Sequence, residues 1–195
     1  MLDTNILLAG IIWRRFPHEV LMNALNGNFI LVLAPCILVE TEHKFLEKFP
    51  QYAAPFTHLM AHMPYELAAD PSPAEITANH DLMIDQYDIP LALAAINAQV
   101  DYFVSEDKNF TLRAPANQSL HDQLNIRLSG TFLREVMGYT SPQLELIRHR
   151  EQRAAKFDAI RKIQANIKGK FTEEEAMSLA LEAQQAVRRE QSEKR

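Results

Sequence analysis

Four acidic residues stand at positions where chemistry is possible: Asp3, Glu40, Asp88 and Asp107. Asp3 ends the short apolar strand Met1-Leu2 and is followed by Thr4-Asn5. Glu40 falls one turn into a helix that follows the apolar run 29–33, Phe-Ile-Leu-Val-Leu. Asp88 stands at the N-cap of the Ala/Leu-rich helix Ile89 to Asn97, and Asp107 follows the strand Asp101-Tyr102-Phe103-Val104-Ser105. Each therefore lies at the carboxyl end of a strand or the start of a helix, the edge where open α/β sheets bind ligands. Carboxylates gathered at one edge cannot all stay ionised without cations between them. Hard oxygen donors, with no Cys or His cluster beside them, favour Mg2+ or Mn2+. A cation held there activates water and steadies the charge of a phosphate.

The elements that must position these residues alternate along the chain. Helices are predicted from about Leu7, from Phe16 to Leu25 and from Ile37 onward. Tyr52 to Leu67 reads as helical, broken at Pro55 and Pro64, and Ala68 to Pro73 as a loop. Asn79-His80-Asp81 is a predicted cap for Leu82-Met83-Ile84. Asn125 to Leu128 is a candidate last strand, followed by a short helix, Phe132 to Met137. The apolar runs are continuous, as in parallel strands covered on both faces. The expectation is α/β, with a central, mostly parallel sheet and right-handed crossovers.

Composition bounds the class. The chain has 195 residues, 47% hydrophobic and 23% charged, enough for one domain with a real core plus an appendage. Its single cysteine, Cys36, excludes a disulfide framework or a Cys-based zinc site, and reads as an inert thiol in an apolar run. The seven His residues show no ligand spacing. The absence of a signal-like start or a long apolar run predicts a soluble, cytoplasmic protein with no membrane partner. Five glycines form no phosphate-cradling loop, and no second Asp stands two residues after Asp3 to suit an Asp-nucleophile phosphatase. Trp13-Arg14-Arg15 is a core aromatic with a solvated flank or a contact for RNA.

The blocks Leu2-Asp3-Thr4-Asn5, Leu33-Ala34-Pro35 leading to Glu40, Asp88-Ile89-Pro90-Leu91-Ala92, and Asp101 through Phe110 resemble the PIN domain family. The resemblance spans about residues 1–137 and is strongest to the toxin-type ribonucleases of bacterial toxin–antitoxin systems. It implies a three-layer fold and hydrolysis of RNA phosphodiester bonds with Mg2+ or Mn2+. It also implies an antitoxin partner and a homodimer. Carried over by position, Asp3, Glu40, Asp88 and Asp107 make the catalytic acidic set, with Asp3, Asp88 and Asp107 on the metal. Asn5 and Ser105 support them, Asn5 by orienting Asp3 or a water. Glu42 and Asp85 are rivals to Glu40 and Asp88. Two positions depart from the family pattern. Glu106 adds an acid where Gly or Asn is usual, and only two residues precede Asp3. A PIN module that merely binds RNA or protein is the alternative class.

Beyond about Thr140 the character changes, and residues 141–195 read as a helical extension to a 1–140 nuclease domain. Ser141-Pro142 starts a helix, and Thr172 to Glu175 is a capping box for another. Residues 150–195 hold 11 basic and 8 acidic side chains, a net of +3, against −8 for residues 1–149. The tail either docks on the acidic site, as in some antitoxin ends that it loosely resembles, or serves oligomerisation or RNA docking.

Overall fold

The computed structural model describes residues 1–150. The predicted helices beyond that point, including the capping box at Thr172, lie outside the described residues.

The chain enters on one side of a parallel ladder, against its central strand. Residue Leu2 forms an isolated parallel bridge with Val104 in β3 (Phe103–Val104). The Asp3 amide donates to the Val104 carbonyl at 3.0 Å, and the Val104 amide donates to the Met1 carbonyl at 3.0 Å. On its other side β3 pairs in parallel with β4 (Ile126–Arg127). A second parallel pair joins β1 (Leu31–Leu33) to β2 (Tyr65–Leu67).

The expected single central sheet is thus two small parallel pairs. The strands are two or three residues long, too short to carry a continuous ladder. A cavity of about 420 Å³ lies between the pairs, lined by Leu2 and Val104 on one side and Ile30 and Val32 on the other. Residues Tyr65–Leu67, expected as helix, form strand β2 instead. Pro64 stops the preceding helix, α4 (Ala53–His62), and Pro55 is accommodated within α4's first turn.

Helices cover these strands. α1 (Thr4–Ile12) and α2 (Phe16–Leu25) cross at Gly10, where a Cβ atom would lie 2.5 Å from Leu21 Cδ1 and 2.9 Å from the Pro17 carbonyl. That approach explains the glycine. α3 (Pro35–Lys48) starts on Pro35, two residues before the expected start, because proline's fixed φ suits a first turn. α5 (Pro73–Ala78) has a capping box between Ser72 and Glu75 that the sequence reading passed over as loop. Residues 79–87 form turns, not the expected capped helix. α6 (Ile89–Asn97) is buried along Ile89 and Leu91 to Ala95. The remaining helices are α7 (Lys108–Thr111), α8 (Gln118–Gln123) and α9 (Ser129–Glu135).

The core gathers Leu2, Ile6, Leu7, Leu33, Ile37 and Phe103 with the buried face of α6. Residues 141–150 are helical, as Ser141-Pro142 predicted. Ile147 is 2% exposed, and Arg150 pairs with Glu19 of α2, so this segment packs on the body. Trp13 stands 46% exposed, edge-on to Phe49. No helix among the described residues is long and apolar enough to cross a membrane.

Candidate active site

Asp3 is the pivot. The strand ends here because α1 begins at Thr4, earlier than the expected Leu7, so Asp3 takes the N-cap position. Its carboxylate makes no capping hydrogen bond to the helix, unlike an ordinary N-cap. It accepts instead from the Ser105 hydroxyl at 2.7 Å, in a fully buried contact. Asp3 is 4% exposed, and no ion pair to it exists among the described residues. Burial pushes its carboxyl up to about 6, and the negative charges of Asp107 and Asp88 add to the rise. The Ser105 bond and the nearby Asn5 amide pull partway back.

From Asp3 a chain of hydrogen bonds runs through the other acids. The Asp107 amide donates to Ser105 Oγ at 2.9 Å. Asp107 Oδ2 accepts from the Asn5 carboxamide at 3.3 Å, and Asp107 Oδ1 caps α7 by accepting from the Asn109 amide at 2.9 Å. The Asn109 carboxamide then donates to Asp85 Oδ2 and Asp88 Oδ2, both at 2.9 Å. An amide NH2 carries two protons, so one group holds two carboxylates. Burial raises Asp88 above the usual carboxylate range. The Asn109 bond opposes that, and the charges of Asp85, Asp107 and Glu40 add to it.

Glu40 joins from α3. Its Oε2 accepts from Thr4 Oγ1 at 2.7 Å, next to Asp3 in the chain, and its Oε1 pairs with Lys44 at 2.6 Å. Burial pushes Glu40 upward, but the bonds from Lys44 and Thr4 and the Lys44 charge outweigh it, and its carboxyl sits below the usual range. Three of the four predicted acids are thus linked by hydrogen bonds, and Glu40 approaches them through Thr4, the residue after Asp3. Glu42 is exposed, whereas Asp85 is drawn in beside Asp88.

Two expectations change. Asn5 turns its side chain to Asp107 and not to Asp3, which takes the Ser105 hydroxyl. Glu106 does not crowd the site. Its carboxylate accepts from the Ser129 amide at 3.1 Å and from the Ser129 hydroxyl, satisfying the first turn of α9 where Leu128, at the N-cap, has no side-chain oxygen. Thr4, Lys44 and Asn109 escaped sequence reasoning. The one usable signal was Asp107-Lys108-Asn109, an Asp with an amide donor two residues on. Cys36 fits its bland reading: burial first, then Asp70, pushes the thiol up to about 12.

The donor set suits a hard divalent cation: oxygens only, several carboxylates, and a buried Asp3 without a basic partner. Among the described residues, as they stand, no three His, Cys, Asp or Glu are close enough to enclose an ion.

A buried Asp3 with half-buried Asp88 and Asp107 stands at the carboxyl edge of parallel strands, where α/β proteins bind their ligands. The PIN domain family model matches residues 1–109, more than half of the chain, and the chain belongs to that family. PIN domains are generally nucleases that use divalent metal ions, which points to nucleic acid as this chain's ligand. No curated protein and no solved structure matches the chain.

Proposed function

We propose that the chain is an Mg2+- or Mn2+-dependent endoribonuclease, the toxin of a toxin–antitoxin pair, working in the cytoplasm as a homodimer. The observation that supports the chemistry is Asp3: a carboxylate almost without exposure, with Asp107 and Asp88 adding like charge and no base beside it among the described residues. Such an arrangement is costly unless a cation completes it. Asp3, Asp88 and Asp107 would hold the ion. It supplies Lewis acidity toward phosphate and acidifies water.

The chain's own groups do the rest. Ser105 fixes Asp3, and Asn5 fixes Asp107. Asn109 holds Asp88 against its neighbour Asp85, keeping two like charges at one edge. Lys44 and Thr4 keep Glu40 ionised and turned toward Asp3's end of α1. An ionised Glu40, held by Thr4 and Lys44, would help orient the water. The three-layer arrangement of PIN domains and the helical extension belong to the same reading. The toxin assignment rests on the four sequence blocks in register.

Cleavage of single-stranded RNA with and without EDTA tests the chemistry. Activity should vanish with the chelator, return with Mg2+ or Mn2+, and be lost in Asp107→Asn. Undiminished cleavage in EDTA would sink the metal-dependent reading. A stable complex with a small protein encoded beside this chain tests the toxin role. A chain ending at Arg150, which keeps Ile147 in place, tests the tail: faster cleavage supports restraint of the acidic site, and an unchanged rate refutes it.

A further inference from the structure

Near the acidic edge lies a groove that brings two arginines together with Glu135 and Asp122. Two adjoining cavities of about 380 and 290 Å³ share Arg113, His121, Ile126 and Arg127. Thr111, the last residue of the helix that Asp107 caps, lines the larger one. The Arg127 carbonyl accepts from the Ser105 amide at 3.1 Å, so the groove starts where the strand carrying Ser105 ends.

Arg127 is built in but incompletely partnered. One terminal nitrogen, Nη1, donates to the Ile126 carbonyl at 3.0 Å. Its Nε is buried and makes no hydrogen bond, with Glu135 Oε2 at 3.5 Å as its ion-pair contact. Arg134, 3.1 Å from the other oxygen of Glu135, gives that carboxylate a second cation. Arg113 is exposed and makes no ion pair among the described residues. The Nε2 of His121 lies 3.2 Å from the Leu112 carbonyl, which orients the ring in the groove. Asp122, the other acid on the rim, takes the Gln118 carboxamide at 2.7 Å.

A body with net charge −8 over residues 1–149 repels a nucleic-acid strand unless its approach is lined locally by cations. The forked N–H donors of guanidinium groups match phosphate oxygens, and Arg113 presents its fork exposed in this groove. We propose that this groove seats backbone phosphates of single-stranded RNA flanking the scissile bond, with Arg113 and Arg127 as the phosphate contacts. The proposal rests on the ribonuclease reading. It adds where the strand runs: past the end of α7, at Thr111, toward Ile126 and Arg127 of β4.

The full-length protein and its Arg113→Gln and Arg127→Gln variants test it, with a short fluorescein-labelled single-stranded oligoribonucleotide in calcium, checked for intactness. Each variant should flatten the dependence of log Kd on log salt by about 0.7, the value for one single-strand phosphate contact. In magnesium each should raise KM and leave kcat unchanged. Arg113→Lys should restore most of the binding. Arg113 is exposed, so its variant stays informative even where Arg127→Gln lowers stability. Salt slopes and KM equal to wild type in Arg113→Gln and in folded Arg127→Gln overturn the groove while leaving the acidic site intact. Failure of the wild type to bind or cut RNA overturns the ribonuclease reading itself.

Discussion

Replacing Asp3 by Asn should stabilise the metal-free protein while abolishing cleavage, and the size of the effect follows from the structure. Asp3 titrates at 3.8 when free and at about 6 in the fold, chiefly because it is buried. At about 1.4 kcal/mol per pH unit, that difference corresponds to about 3 kcal/mol. The folded carboxyl keeps its proton to higher pH than the unfolded one. The folded state therefore loses stability as pH rises from about 4 to about 6, and the loss is complete above that window. Asparagine carries no charge to bury, and its carbonyl still accepts from Ser105 Oγ, now 2.7 Å away. In EDTA at pH 8 the variant should be more stable by up to about 3 kcal/mol. For a chain of this size that raises Tm by about 6–12 °C. The gap should narrow at pH 5 as wild-type Asp3 takes up its proton. Mg2+ at a hundredfold excess over Kd should stabilise wild type by about 2.7 kcal/mol, and the variant far less. Differential scanning calorimetry across pH, with and without Mg2+, reads all of this. A variant that melts at or below wild type at pH 8, or an equal Mg2+ shift in both proteins, refutes the reasoning.

Three further outcomes follow from individual contacts. Asn109→Leu removes the donor shared by Asp85 and Asp88 and should lower cleavage about 10- to 100-fold, as losses of groups supporting a metal site do, measured as kcat/KM. Glu106→Ala frees the first-turn amide and the hydroxyl of Ser129. It should cost about 1 kcal/mol in urea denaturation and leave kcat unchanged, because Glu106 faces α9 and not the acids. Gly10→Val places a branched side chain where even a Cβ would lie 2.5 Å from Leu21, and should destabilise toward the upper end of about 1–3 kcal/mol by the same assay.

Local chemistry made much of this protein readable before folding. Continuous apolar runs announced parallel strands, and Pro90 in a first turn announced α6, whereas Pro35 opens α3 two residues before the expected start. Asp3, Asp88 and Asp107 are linked through Ser105 and Asn109, while Glu40 bonds Thr4, beside Asp3 in the chain. Strand β2 was illegible because three exposed residues after a proline carry no period to detect. The division into two parallel pairs was equally hidden, since neither run reveals which neighbour it bonds to.

The sequence alone determined which groups are available: oxygen donors at strand ends, no thiol or imidazole cluster, and an acidic body with a basic tail. Those properties reside in residue types and in spacings of a few positions. Only the tertiary structure decided which group serves which. Asn5 reaches Asp107 across 102 positions, and Ser105 reaches Asp3 across the same separation. Glu106 turns outward to Ser129 across 23 positions. Such pairings depend on where the strands set each backbone and on which partner is already satisfied. Burial of Asp3, from which its raised titration follows, likewise exists only once Leu2 is bridged to Val104 and α6 covers the core.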